Sequence, residues 1–161
     1  MTATRFPETD YSPLLRTDFT DDEAWQAILD EIGDDWMTVM ADPGHQGLSV
    51  PELVALVPEG NRYPVLVVAD EVTFSSAERS LLLIDVRQEN GRTFRVVPDA
   101  IQSAVGNLSI DNETFDDYLD SVDESGVYRI HEKQRQALAA LQSFGQPGRR
   151  YRSFPAPDRE S

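Results

Sequence analysis

Three apolar runs of this 161-residue chain each stop at an aspartate: Leu14 to Asp18 (LLRTD), Thr38 to Asp42 (TVMAD) and Val65 to Asp70 (VLVVAD). Carboxylate oxygens are the ligands that Mg²⁺ prefers, and converging aspartates serve metal-dependent hydrolysis and phosphoryl transfer. If the runs are neighbouring parallel strands, Asp18, Asp42 and Asp70 reach the C-terminal edge of one sheet, where open α/β sheets bind ligands. Arg16 shares a strand face with Asp18, which makes it a candidate anion clamp or an ion-pair partner of Asp18 or Asp70. His45, in the loop Asp42-Pro-Gly-His-Gln-Gly47, is a candidate general base oriented by Asp42 or Asp70. The plainer expectation for His45 is an exposed loop residue. Each aspartate also has a local explanation, because Asp is common where strands give way to turns and helix caps.

These groups need a scaffold, and the hydrophobic periodicity predicts one. Leu14–Phe19 reads as a short strand. Thr20-Asp-Asp-Glu23 fits a capping box opening a helix to about Ile32, with Ala24, Trp25, Ile28, Leu29 and Ile32 on one stripe. Gly33 closes it. Trp36–Ala41 is a second strand, Ser49-Val-Pro-Glu52 opens a short helix, and Tyr63–Ala69 is apolar enough for a strand buried on both faces. This β-α-β-α-β order favours parallel pairing. Leu81–Arg87 and Arg92–Val97 flank Glu89-Asn90-Gly91, and Asn-Gly signals a hairpin, so an antiparallel pair joins the sheet. Helices follow at Asp99–Val105, ended by Gly106, and at Glu113–Val122, capped by Asp111 or Asn112. Val127–Ile130 is a last short strand. The predicted fold is α/β: a single domain with a mixed, mostly parallel sheet of about five strands flanked by helices, with a C-terminal antiparallel hairpin and a disordered tail.

The predicted boundaries are a flexible arm at 1–12, the α/β domain at 13–130, a C-terminal helix at 131–144 and a basic disordered tail at 145–161. Trp25, Trp36 and Tyr63 are the aromatic residues placed to line a ligand pocket, although Trp on an apolar helix stripe is more commonly core. Asn107 and Asn112 match glycosylation sequons, and a cap or turn explains both. His131 begins the last helix with no chemical partner in sequence. Neither GxGxxG nor GxxxxGK[ST] occurs, which argues against nucleotide sites of those types.

Composition narrows the function classes. A hydrophobic share of 40 % supports a packed core, and the absence of cysteine excludes disulfides, thiolate metal sites and Cys nucleophiles. No apolar stretch is long enough to span a bilayer and the N-terminus lacks the apolar core of a secretory signal, so a cytoplasmic location is expected. Residues 1–126 carry 7 arginines against 26 acids, a balance of −19, whereas residues 127–161 carry 7 basic residues against 3 acids, a balance of +4. Such a body repels phosphate backbones and anionic lipids, so neither nucleic acid nor membrane is an expected partner, and basic proteins or peptides are. No feature sets an oligomeric state.

The segments LLRTDFTDDEAW (14–25), VPEGNRYPVLVVAD (57–70), FRVVP (94–98) and NLSIDNETFDDYLDSVDESGVYR (107–129) resemble a family of small acidic proteins, mainly from actinomycetes, that carries a domain-of-unknown-function label. The likeness covers about residues 13–130 and omits the basic tail. It implies one domain and brings no activity, cofactor or site residue. Two functions are therefore expected from the residues alone. The first is a non-catalytic acidic binding or regulatory module for a basic protein partner. The alternative is a small enzyme at the C-terminal edge of the sheet, with Asp18, Asp42 and Asp70 as acid–base groups or Mg²⁺ ligands, Arg16 as clamp and His45 as proton shuttle.

Overall fold

The computed structural model describes Phe6 and residues 11–33 and 36–129. The expected helix at 131–144, His131, the basic segment at 145–161 and most of the arm at 1–12 lie outside the described residues. The strands are β1 (Pro13–Arg16), β2 (Thr38–Met40), β3 (Val65–Ala69), β4 (Leu81–Asp85), β5 (Thr93–Val96) and β6 (Val127–Tyr128). They form one six-stranded sheet in the order β2-β1-β3-β4-β5-β6. β1 pairs parallel with β2 and β3, β4 runs antiparallel to β3 and β5, and β6 returns parallel to β5. One edge of the sheet therefore receives the C-terminal ends of every strand except β4. The helices are α1 (Asp22–Ile32), α2 (Val50–Val54), α3 (Glu71–Ser75), α4 (Pro98–Ser109) and α5 (Phe115–Leu119).

Strand alternation and register divide the core in two. One face carries Leu14, Arg16, Val67, Leu83, Phe94 and Val96, and it is covered by α1 packed beside α4 and by Phe115 and Tyr118 of α5. Tyr118 stacks on Phe94 with ring centroids 5.3 Å apart, while Phe115 meets the same ring edge-on at 4.9 Å. The other face carries Leu15, Leu66, Val68 and Ile84, packed against Leu53 of α2, Tyr63, Val86 and Phe6. With both faces covered, every residue of β3 is buried, as its unbroken apolar run requires.

Local signals place most boundaries, and packing moves some of them. Asp21 caps α1 in place of Thr20, because Thr20 bonds the Asp18 carboxylate through both its N–H and its hydroxyl. The Ser49–Glu52 capping box opens α2 as expected. α4 runs through Gly106 to Ser109 because its buried stripe of Ala100, Ile101, Ala104, Val105 and Leu108 outlasts the glycine. Thr114, and neither Asp111 nor Asn112, caps α5 through a capping box with Asp117.

The β4–β5 connection also differs from a two-residue hairpin. Its loop spans 86–92, and the Asn-Gly pair forms the centre of a Glu89–Arg92 turn in which Gly91 takes φ +99°. That pattern, with positive φ only at the third position, belongs to a type II turn. Asp85 organises the loop. Its carboxylate accepts from the backbone N–H groups of Arg87, Gln88 and Glu89 at 3.0 Å each, and from Arg92 Nε at 3.2 Å and Nη2 at 2.9 Å. Burial alone would raise the Asp85 pKa, but these donors outweigh it and hold the carboxyl below its usual range.

Because the folded-state pKa is the depressed one, the stability that Asp85 contributes is complete above the unfolded carboxylate range and drains as pH falls through the folded value. Asp85→Ala leaves three turn amides without their acceptor while Arg92 keeps Asp116, and urea titration at pH 7 should show a loss of about 1–3 kcal/mol. The gap between wild type and Asp85→Asn should narrow on acidification below about pH 4.

Candidate functional site

The parallel pairing of β1, β2 and β3 brings the loops bearing Asp18, Asp42 and Asp70 to one edge of the sheet. The carboxylates themselves are occupied locally. Asp18 Oδ1 accepts from Thr20 N at 2.9 Å, and Asp42 Oδ1 accepts from Gly44 N at 2.9 Å as the cap of a 3-10 turn, Pro43–His45. Asp70 caps α3 by accepting from Thr73 N at 3.1 Å, and it receives both Nη atoms of Arg95 from β5, at 3.1 and 2.6 Å. Thr73 and Arg95 also reach the Ser80 carbonyl, tying α3 and β5 to the start of β4. Among the described residues no group of three His, Asp or Glu side chains stands in a metal-holding arrangement.

Arg16 occupies the point where the sheet order reverses between β1 and β3. In sheets of this order that crevice is the usual ligand position. Here the guanidinium itself lies in it, beneath Phe19 at 4.6 Å, Trp25 at 5.5 Å and Phe74 at 5.7 Å from the ring centroids. Arg16 is 4 % exposed. Its Nε donates to the Asp18 carbonyl at 2.9 Å. Its Nη2 lies 2.8 Å from Asp22 Oδ1 but off the line of a hydrogen bond, so that pair is an electrostatic contact with a carboxylate that stands in water. The aromatic rings and the arginine stem together fill the crevice.

The remaining expected site residues sit elsewhere. His45 is fully buried, which corrects the expectation of an exposed loop histidine. Its ring meets Phe6 edge-on at 5.4 Å, and the following Gly47 N–H bonds the Thr17 carbonyl at the exit of β1. Trp36 precedes β2 and Tyr63 precedes β3, so both lie toward the edge opposite the aspartates, while Trp25 belongs to the Arg16 cage. Trp25 is thus set apart from Trp36 and Tyr63 by the length of the strands. Trp36 Nε1 donates to the Ile32 carbonyl at 2.8 Å, closing the end of α1. Tyr63 is fully buried, its hydroxyl makes no hydrogen bond among the described residues, and burial pushes its pKa up to about 12.

A hollow with room for about one water opens at that opposite edge, between the start of β3, the β4–β5 loop and the α4–α5 connection. It is smaller than most small-molecule sites. Its charged groups are already paired: Asp85 holds five donors, and Arg87 donates to the Leu108 carbonyl, to Asp111 and to the Arg62 carbonyl. On the same wall, Glu113 accepts from the Tyr118 hydroxyl at 2.6 Å and from Asn107 Nδ2 at 3.0 Å. Burial first and then the Glu113 carboxylate raise the Tyr118 pKa. The sequence reading missed Asp85 and Arg92, for which the signal was an aspartate closing an apolar run seven residues before an arginine.

Packing rather than charge accounts for Arg16, so Arg16→Met should hold stability within about 1 kcal/mol, because the deserted Asp22 remains hydrated and the thioether keeps the cage filled. Arg16→Ala should cost about 2–4 kcal/mol by emptying it. Equal losses in the two variants, both of which lack the charge, would show that charge dominates. Tyr63→Phe removes a buried hydroxyl without a partner and should leave the melting temperature unchanged or higher.

No curated protein matches the chain. A family model matches residues 11–131, a span that contains every described strand and helix. Over that span, which is well over half of its length, the chain belongs to the family described as a domain of unknown function, DUF6924.

Proposed function

We propose that this domain is a non-catalytic, acidic binding or regulatory module that engages a basic protein or peptide in the cytoplasm. The observation that carries the reading is the solvent face of α1. Asp22, Glu23, Asp30 and Glu31 are all exposed there, and the helix contains no lysine or arginine. Asp22 and Glu23 lie in the first turn, where the helix dipole favours anions. Asp30 and Glu31 lie in the last turn, where the dipole opposes them, and α1 offers no compensating cation. Residues that oppose their own helix are better accounted for by something they bind than by the fold they weaken.

The internal ion pairs point the same way. Arg16, Arg87, Arg92, Arg95 and Arg129 already face carboxylates of the same chain. The surface charge left over is therefore negative, which speeds encounter with a basic partner and makes binding sensitive to salt. Support for the enzyme alternative is thinner, since the aspartates bond their own turns and an arginine fills the switch-point crevice. No described helix is long and apolar enough to cross a membrane.

The test uses a synthetic Arg/Lys-rich peptide and a neutral peptide of equal length, with fluorescence anisotropy at low and high salt. Binding should appear only with the basic peptide and weaken with salt. Asp30→Asn/Glu31→Gln should bind about threefold to tenfold more weakly yet melt at a slightly higher temperature. Asp120→Asn/Glu124→Gln removes equal charge elsewhere and should bind nearly as wild type. Absence of binding at low salt, or equal loss in the two variants, would defeat the proposal.

A further inference from the structure

The β4–β5 loop contains the pair Asn90-Gly91. An asparagine followed by glycine can cyclise, because glycine has no side chain to hinder attack by its own backbone nitrogen. Asn90 is exposed, and its side-chain amide makes no hydrogen bond among the described residues. The nucleophile is restrained: Gly91 N donates to the Asp85 carbonyl at 2.9 Å, within the loop that the Asp85 carboxylate clasps through five donors. We propose that Asn90 is a site of spontaneous deamidation whose rate is set by opening of the Asp85–Arg92 clasp.

The step balances without a cofactor. Gly91 N bonds to Asn90 Cγ as the Cγ–Nδ2 bond breaks, and the proton from Gly91 leaves with Nδ2 as ammonia. Water then opens the succinimide. Opening at the side-chain carbonyl gives aspartate, and opening at the backbone carbonyl gives isoaspartate. Either product adds a negative charge beside Glu89. Isoaspartate also lengthens the main chain by one carbon inside a turn that relies on the Gly91 backbone at φ +99°. The modified loop should therefore lose register with Asp85.

In the closed loop the Gly91 N–H is bonded and the main chain is fixed, so reaction needs a local opening whose population the clasp controls. The closed form should react slowly and the opened form quickly.

The experiment incubates three samples of the full chain at mildly alkaline pH and 37 °C: wild type, Arg92→Gln, and wild type held unfolded in urea. Peptide mass spectrometry and isoaspartate-specific enzymatic methylation follow the 88–95 region, with Asn90→Asp as the product standard. The unfolded chain should react fastest, the folded wild type about tenfold or more slowly, and Arg92→Gln between them. Circular dichroism confirms that Arg92→Gln remains folded, and Arg92→Lys supplies a milder loosening should it not. Equal rates in folded and unfolded wild type would overturn gating by the clasp. Absence of deamidation from a folded, loosened variant while the unfolded chain reacts would overturn it as well.

Discussion

The constraint on which the structure turns is the complete burial of β3. Five consecutive apolar residues at the middle of the sheet must be covered on both faces, because either face left open would expose several large side chains to water. One cover comes from α1, α4 and α5. The other comes from the segment joining β2 to β3, with α2, Tyr63 and Phe6. The strand ends are then the places where a buried backbone returns to solvent, and its amides need acceptors there. Aspartate serves that purpose at Asp70, Asp42 and Asp18. The same physics that made these residues conspicuous as candidate ligands also accounts for them as caps.

A second constraint is charge. In a chain with so many more carboxylates than cations, the arginines are distributed to points where carboxylates are drawn out of water. Arg92 meets the nearly buried Asp85, and Arg95 meets Asp70. Arg129 joins Glu78 and Asp123 at the aspartate-bearing edge. Arg95–Asp70 and Arg129–Glu78 bridge elements distant in sequence, so electrostatics helps fix how loops sit on the sheet. On helix faces Asp22 meets Arg16 and Asp116 meets Arg92, whereas no described arginine pairs with Asp30 or Glu31 in the last turn of α1.

Much of this was legible in one sequence. The apolar run before Asp70 identified the central strand, the i, i+3, i+4 stripe identified α1, and Ser49 with Glu52 identified α2. At Gly106 and His45 a long-range contact had outweighed a local signal. Gly106 should have ended a helix, but the packed stripe beyond it carried α4 onward. His45 belonged by composition to an exposed loop, but that loop folds under the sheet against Phe6. α3 was missed because a five-residue helix has no periodicity to detect, and only its Asp70–Thr73 cap marks it. The aromatics Trp25, Trp36 and Tyr63 were grouped by residue type, whereas the topology puts Trp25 by Arg16 and the other two toward the opposite edge.

The sequence by itself determined the fold class, the parallel arrangement of the first three strands, the edge at which their aspartates emerge, and the negative charge of the body. These follow from periodicity and composition, which act locally or sum over the whole chain. Only the tertiary structure decided what those aspartates bond, that Arg16 fills the switch-point crevice, and that Asp85 commands the β4–β5 loop. Each of these depends on the direction of a side chain, and the Asp70–Arg95 pair and the rings over Arg16 also depend on elements far apart in sequence. Side-chain direction is set by packing between elements far apart in sequence, and no local pattern encodes it.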